Sequence, residues 1–93
     1  MDIKQANNDK NGSFFIALDG REIASMHYVW AVDDKLIIDH TEVAEAFEGR
    51  GLGKQLLSAL VRYCRSNGVK VIPLCPFAKA LFDKVEEYRD VLA

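Results

Sequence analysis

Cysteine is scarce in this sequence, and its placement disfavours two common kinds of small protein. The two cysteines, Cys64 and Cys75, form no CxxC motif and no cluster of metal-ligating residues. A secreted domain stapled by disulfides and a zinc-binding domain are therefore disfavoured. We expect both thiols to be free and the protein to bind no metal.

Long apolar runs and a strong excess of charge are also absent. No apolar run approaches the roughly 20 residues that span a bilayer, and the first residues, MDIKQANNDKNG, resemble neither a signal peptide nor a transit peptide. The net charge of −2 argues against a general affinity for nucleic acid. We therefore expect a cytoplasmic protein that binds neither membranes nor nucleic acid.

The composition supports one small domain over residues 1–93. Hydrophobic residues make up 49% of the 93 residues, which is enough for a single core. The first dozen residues are polar and end in the turn signal Asn11-Gly12, so residues 1–12 are expected to be flexible.

Three strands are predicted in the first half of the chain. Alternating and apolar runs cover Ser13–Leu18, Arg21–Trp30 and Lys35–Val43. Asp19-Gly20 is a strong signal for a tight hairpin turn, and Val32-Asp33-Asp34 is a second turn. The three strands should form an antiparallel meander.

The pattern then changes to a helical period. Apolar residues recur at helical spacing from Leu52 to Ser66, and Asn67-Gly68 supplies a stop signal. The run Val69–Leu74 reads as a fourth strand covered on both faces, and a short helix follows from Ala78 to about Val85. Strand, helix and strand imply a right-handed crossover between parallel strands. The predicted fold class is α/β with a mixed sheet.

A glycine-rich turn opens the long helix and predicts an anion site. Glu48-Gly-Arg-Gly-Leu-Gly53 lies between the third strand and the helix. Glycines let a ligand approach the backbone, and the first helical N–H groups have no partner inside the helix. Arg50 and Lys54 add two cations, so a phosphate or pyrophosphate is the expected guest.

These residues resemble the GNAT superfamily of acyl-CoA-dependent N-acetyltransferases. The superfamily motif is Gln/Arg-x-x-Gly-x-Gly/Ala at the start of a helix, and Glu48, Gly51 and Gly53 take its three fixed positions. The segments HTEV (residues 40–43) and IPLCPF (residues 72–77) look like the very small stand-alone members. The resemblance covers about residues 13 to 88 and implies a minimal GNAT-like fold.

The resemblance implies that acetyl-CoA binds between two splayed parallel strands. Its pantetheine arm would pair with the backbone around Thr41–Val43, and its diphosphate would rest on the amides of Gly49 to Lys54. The residues expected to contact CoA are Thr41, Glu42, Val43, Gly49, Arg50, Gly51, Leu52, Gly53, Lys54, Cys75, Pro76, Phe77 and Lys79.

The sequence departs from the superfamily pattern at two places. Larger members carry an Asn at the end of the second parallel strand and a Tyr seven residues later, which serves as general acid. Cys75 and Phe82 hold those positions here, and phenylalanine has no proton to give. Glu48 also places a carboxylate beside the expected pyrophosphate, so we expect its side chain to turn away.

The candidate catalytic residues are Cys75, His40 and Glu42. Cys75 either accepts the acyl group, with His40 raising its thiolate fraction, or only lines the channel. His40 is a candidate general base toward an amine, although its place beside Leu36 and Ile38 in the strand alternation favours partial burial. Glu42 is a second candidate base. Tyr88 would supply a proton only if the C-terminal segment folded over the crevice.

Two functions from different classes follow. The first is transfer of an acetyl group from acetyl-CoA to an unidentified small amine or peptide. The alternative is a CoA-binding sensor or interaction module with little or no turnover, which the small size favours. A different diphosphate, such as a nucleotide, is the weakest of the possibilities because no P-loop follows the glycines. The expected oligomeric state is a monomer or a weak homodimer.

Overall fold

The computed structural model describes residues 2–93 as one mixed sheet with its helices packed on one face. The strands follow the chain order across the sheet, β1 to β4 antiparallel and β4 and β5 parallel. The strands are β1 (Lys4–Asn7), β2 (Asn11–Leu18), β3 (Arg21–Ala31), β4 (Lys35–Val43) and β5 (Lys70–Pro73). The helices are α1 (Leu52–Asn67) and α2 (Pro76–Lys84), with short 3₁₀ segments at Glu45–Phe47 and Glu86–Val91. The predicted mixed α/β fold, with its meander and parallel crossover, is confirmed.

Strand β1 is an addition to the predicted meander. Lys4–Asn7 pairs with β2, from Lys4 opposite Phe15 to Asn7 opposite Gly12, where a flexible segment was expected. All of its side chains are exposed, so it leaves no hydrophobic pattern in the sequence. It is held by backbone pairing and by the hydroxyl of Tyr28, which accepts a hydrogen bond from Gln5 Nε2 (2.9 Å) and donates one to Asn7 Oδ1 (3.0 Å).

The core lies between one face of the sheet and the apolar side of α1. Buried strand residues such as Met26, Tyr28 and Leu36 belong to the same cluster as Leu56, Leu57 and Leu60 of α1 and Phe82 of α2. The alternate strand positions, such as Phe15, Val29 and Ile37, are only half-buried. The strand predicted over Val69–Leu74 is β5 in the structure. The expectation that it is covered on both faces is therefore wrong. Val71 of β5 is buried, whereas Ile72 is half-buried and Lys70 is exposed.

A bulge in β4 reverses which side chains face the core. Tyr28 of β3 is opposite Ile38, but His27 is opposite His40, so Asp39 is the extra residue. Beyond the bulge, Thr41 and Val43 are half-buried and His40 and Glu42 are exposed. The predicted partial burial of His40 is wrong because it assumed unbroken alternation through Asp39.

The C-terminal segment closes the edge of β5. The amide of Ala93 donates to the carbonyl of Val71 (2.9 Å), and Leu92 forms a parallel bridge with the same residue. Arg65 of α1 donates two hydrogen bonds, of 2.9 and 2.7 Å, to the carboxylate of Asp90. That contact holds the pKa of the Asp90 carboxyl below its usual range, so its contribution to stability is present at neutral pH and is lost as the pH falls through the lowered value. No helix within residues 2–93 is long and apolar enough to cross a membrane.

Truncation of a buried leucine on the apolar side of α1 should lower the free energy of unfolding of the domain. Leu57→Ala removes a side chain with 0% exposure, so we expect the free energy of unfolding to fall by about 2–5 kcal/mol, as for other buried leucines. Val32→Ala in the β3–β4 turn is the control, because Val32 is 78% exposed. Urea denaturation measures both variants. Equal losses would contradict the placement of the core.

Candidate functional site

The two parallel strands part after Ile38 of β4 and Pro73 of β5, which are the last pair in their ladder. The carbonyl oxygen of Ile38 then accepts two backbone hydrogen bonds, from Leu74 (3.0 Å) and from Cys75 (2.9 Å). The second strand turns away at this fork and enters α2 at Pro76. A strand cleft, bounded by Thr41–Val43 on one side and Leu74–Cys75 on the other, opens beyond it.

The β4 side of this strand cleft is an unpaired strand edge. The amide of Ala44 donates to Ile23 of β3 (2.7 Å), so alternate residues of β4 point their backbone groups towards β3. Thr41 and Val43 lie between those positions in the antiparallel ladder, and their N–H and C=O groups face the cleft instead. Since β5 has already turned away, an extended ligand could add to this edge as a short strand would.

The glycine turn places the start of α1 beside the same cleft. Gly49 (φ 78°) and Gly51 (φ 73°) both adopt left-handed backbone, which a side chain would strain. Gly51 is the N-cap of α1, and no side chain caps the helix there. The first intrahelical hydrogen bond runs from Gln55 to Gly51 (3.1 Å), so the amides of residues 52–54 have no partner inside the helix.

A groove of about 400 Å³, the helix-mouth groove, lies against these amides. Its lining is mostly apolar, with one cation and one carboxylate. The lining residues are Val43, Phe47, Glu48, Gly49, Gly51, Leu52, Gly53, Lys54, Phe77 and Leu81. An apolar wall beside free amides suits a ligand with both an apolar part and an anionic part.

The third glycine of the motif serves packing between helices. Gly53 is buried in the first turn of α1, and a Cβ atom there would overlap the ring of Phe77 on α2. Phe77 itself is 41% exposed and lines the helix-mouth groove. Gly53 also lines the groove, so the prediction that its backbone is approached by a ligand stays a prediction, and the structure adds a packing role.

The predicted cations lie at different distances from the groove. Lys54 lines it, and the guanidinium of Arg50 lies over the ring of Phe47, 5.0 Å from its centroid. That cation–π contact holds the Arg50 side chain against Phe47, which lines the groove. Lys79 is exposed in the first turn of α2 and does not line the helix-mouth groove.

Cys75 lies at the fork and faces the helices. It is the N-cap of α2, only 6% exposed, and its thiol donates a hydrogen bond to Thr41 Oγ1 (3.3 Å). Burial on the apolar side of α1 raises the pKa of the Cys64 thiol to about 12. Of the two thiols, only Cys75 borders the strand cleft.

His40 and Glu42 lie on the opposite side of β4 from this thiol. His40 Nε2 is 3.0 Å from Glu42 Oε1, and both side chains are more than half exposed. Thr41, the residue between them, directs its hydroxyl to Cys75, and successive strand residues point to opposite faces. His40 is therefore not placed to deprotonate Cys75 directly, contrary to the sequence-based hypothesis. Its cross-strand neighbour His27 pairs separately with Asp39, at 2.7 Å.

A second groove, of about 530 Å³, runs along the outer part of β3 and β4 and is named the side groove. Its lining includes Thr41, Glu42 and Val43, which are among the residues expected to contact CoA. The lining residues are Glu22, Ile23, Ala24, Ser25, Thr41, Glu42, Val43, Ala44 and Glu48. Val43 and Glu48 border both grooves.

Some positions in and around the helix-mouth groove left no signal in the sequence. Phe47 and Leu81 line the helix-mouth groove, but neither belongs to a motif. Phe82, at the position where larger GNAT proteins carry Tyr, is 2% exposed and belongs to the core. Tyr88 packs edge-on against Phe82, with ring centroids 6.3 Å apart, and lines neither groove.

The fold and the glycine turn agree with a match to a family of N-acetyltransferases. Residues 13–91 match the family model described as GCN5-related N-acetyl-transferase. The chain therefore belongs to this family. The search of curated proteins gave no significant match.

Solved structures agree with this assignment. The NMR structure of a GCN5-like protein from Staphylococcus aureus is 35% identical, with a TM-score of 0.78, and the match covers 99% of this chain and 87% of that one. The ribosomal-protein-S18-alanine N-acetyltransferase from Escherichia coli is 19% identical (TM-score 0.68), with 84% of this chain matched to 53% of that one. An aminoglycoside N-acetyltransferase in complex with CoA is 17% identical (TM-score 0.66), covering 89% of this chain and 88% of that one. The last two similarities show the fold alone.

Because Gly53 contacts Phe77, we expect Gly53→Ala to change the free energy of unfolding in opposite directions in wild type and in Phe77→Ala. In the wild-type background, Gly53→Ala should destabilise the domain by about 1 kcal/mol or more, because the added methyl displaces the Phe77 ring. In a Phe77→Ala background the same change should stabilise it by about 0.5–1 kcal/mol, because Ala is the better helix former. Thermal unfolding of the four proteins measures the cycle. The same sign in both backgrounds would show that Phe77 does not restrict residue 53.

Proposed function

We propose that this protein transfers an acetyl group from acetyl-CoA to an amine. The observation that carries the proposal is the meeting of an unpaired β4 edge with the unpartnered first amides of α1. The edge suits the amide-containing pantetheine arm, and the helix start suits its diphosphate. No other part of residues 2–93 combines these two features beside an apolar groove.

The residues present fit CoA at this place. A Cβ added at Gly49 or Gly51 would meet nothing within 4 Å, so open space lies against the backbone of the turn. Lys54 and Arg50 supply positive charge, and Phe47 and Phe77 supply apolar wall. Glu48 also lines this groove, so we expect its side chain to turn away from the phosphates when CoA binds. When bound, acetyl-CoA supplies an acetyl group activated as a thioester.

The chain's own groups supply the remaining chemistry. The backbone N–H of Val43 faces the strand cleft and would stabilise the oxyanion that develops on the acetyl carbonyl. His40, on the exposed face of β4, would accept the proton of the attacking amine. Glu42 holds Nε2 of His40 at 3.0 Å, which leaves Nδ1 to act as the base. The acceptor, a small amine or a peptide, would approach from the side of β4 where these two side chains lie.

A second candidate is a CoA-binding module with little or no turnover. The specific observation in its favour is the exposure of His40 and Glu42, whose side chains are 61% and 71% exposed. The helices cover only the other face of the sheet, so little protein surrounds an acceptor at this position. Assays of acetyl transfer to amine and peptide panels discriminate, since tight CoA binding without transfer to any acceptor favours the module.

Amide chemical-shift mapping with CoA tests the proposed cofactor site. We expect the largest shifts at residues 41–43, 49–54 and 75–79, because these segments contain residues that bound the strand cleft or line the helix-mouth groove. Residues of β1, at the far edge of the sheet, serve as the unaffected reference. A saturating CoA concentration that leaves residues 49–54 unshifted would refute the proposal.

Substitution of two glycines with similar positive φ angles separates the effect of backbone strain on stability from the effect on CoA binding. Gly51→Ala should weaken CoA binding by at least about tenfold, because left-handed backbone strains a side chain and shifts the helix start. Gly20→Ala is the matched control, since Gly20 also has positive φ (78°) and open space but lies in the β2–β3 turn. Both variants should lose similar stability. Calorimetric titration with CoA should show wild-type affinity only for Gly20→Ala.

A further inference from the structure

The hydrogen bond between Cys75 and Thr41 joins the two sides of the strand cleft. Cys75 comes from the β5 side and Thr41 from β4, and their sulfur and oxygen atoms are 3.3 Å apart. Cys75 is buried and Thr41 is half-buried. The bulge at Asp39 turns Thr41 towards this thiol, because unbroken alternation would have placed its hydroxyl on the other face.

Two other groups that could act on Cys75 are not placed to form a hydrogen bond with its sulfur. His40 faces away from it, as described above. The first residue of α2 is Pro76, which has no N–H to offer the sulfur. Within residues 2–93, Thr41 is the one side chain that forms a hydrogen bond with the Cys75 thiol.

We propose that Thr41 is a positioning residue that prepares Cys75 to accept an acyl group, a proposal that rests on the function proposed above. The hydroxyl accepts a hydrogen bond from the S–H group in the resting protein, which leaves the sulfur lone pairs free. When the proton leaves, the hydroxyl rotates and donates to the sulfur, and hydrogen bonds to charged groups are the stronger ones. Thr41 thereby favours the nucleophilic form of the thiol.

The covalent step exchanges one thioester for another. Cys75 Sγ forms a bond to the acetyl carbon while the bond from that carbon to the CoA sulfur breaks. The proton lost by Cys75 ends on the CoA sulfur, so free CoA thiol is released. An amine that then attacks the acetyl-cysteine restores the Cys75 thiol and carries the acetyl group away.

Thiol reactivity without an acceptor tests the role of Thr41. Wild type, Thr41→Val and Thr41→Ser are treated with iodoacetamide, and separately with acetyl-CoA, and modification of each cysteine is followed by peptide mass spectrometry. Thr41→Val keeps the shape but removes the hydroxyl, so both rates at Cys75 should fall by about tenfold, the effect of one hydrogen bond to a charged group. Thr41→Ser restores a hydroxyl and should restore both rates. Cys64, with its pKa of about 12, is the internal reference and should stay unmodified.

The outcomes separate this proposal from the proposed function. Cys75 rates in Thr41→Val within about twofold of wild type would overturn it, since a hydrogen bond that matters exceeds that effect. Wild-type Cys75 that is never acetylated by acetyl-CoA would overturn it as well, even where shift mapping shows that CoA binds. If Thr41→Val fails to fold, judged by its amide spectrum, Thr41→Ala makes the same comparison. Failure of CoA to bind wild type refutes the proposed function instead.

Discussion

The fork at the carbonyl of Ile38 is the constraint on which the candidate site depends. One oxygen accepts the amides of both Leu74 and Cys75, so the ladder between β4 and β5 ends there. The sheet thereby gives up its pairing along the rest of β4, and an unpaired edge in the interior of a sheet is costly unless something else bonds to it. In the function proposed above, the amide-containing arm of CoA would be that partner. The fork thus leaves backbone groups of β4 free to pair with the ligand proposed above.

The three glycines of the motif are needed for two different reasons, backbone conformation and packing between helices. Gly49 and Gly51 are needed because the chain reverses through left-handed backbone just before α1. Gly53 is needed because Phe77 of α2 lies against it, and this contact holds the apolar wall of the helix-mouth groove next to the free amides. A spacing that reads in sequence as a single phosphate signature therefore also encodes the docking of one helix on another.

Sequence patterns predicted the elements whose side chains alternate between water and core. The helix Leu52–Asn67 was readable from its apolar period, and the glycine turn from its composition. Strand β1 was not, because exposed polar residues held by backbone pairing carry no such period. The bulge was not readable either, since Asp39 fits an uninterrupted strand as well as an interrupted one. Contacts between distant segments, such as Thr41 with Cys75, follow from the bulge and were hidden with it.

That single extra residue has a consequence for mechanism. Without it, His40 would share a face with Leu36 and Ile38, and Thr41 would point away from the helices. With it, the imidazole and the thiol lie on opposite sides of one strand. A base on one side and a sulfur on the other cannot act as a direct ion pair. In the mechanism proposed above they would act in sequence, the sulfur receiving the acetyl group from CoA and the imidazole assisting its departure to an amine.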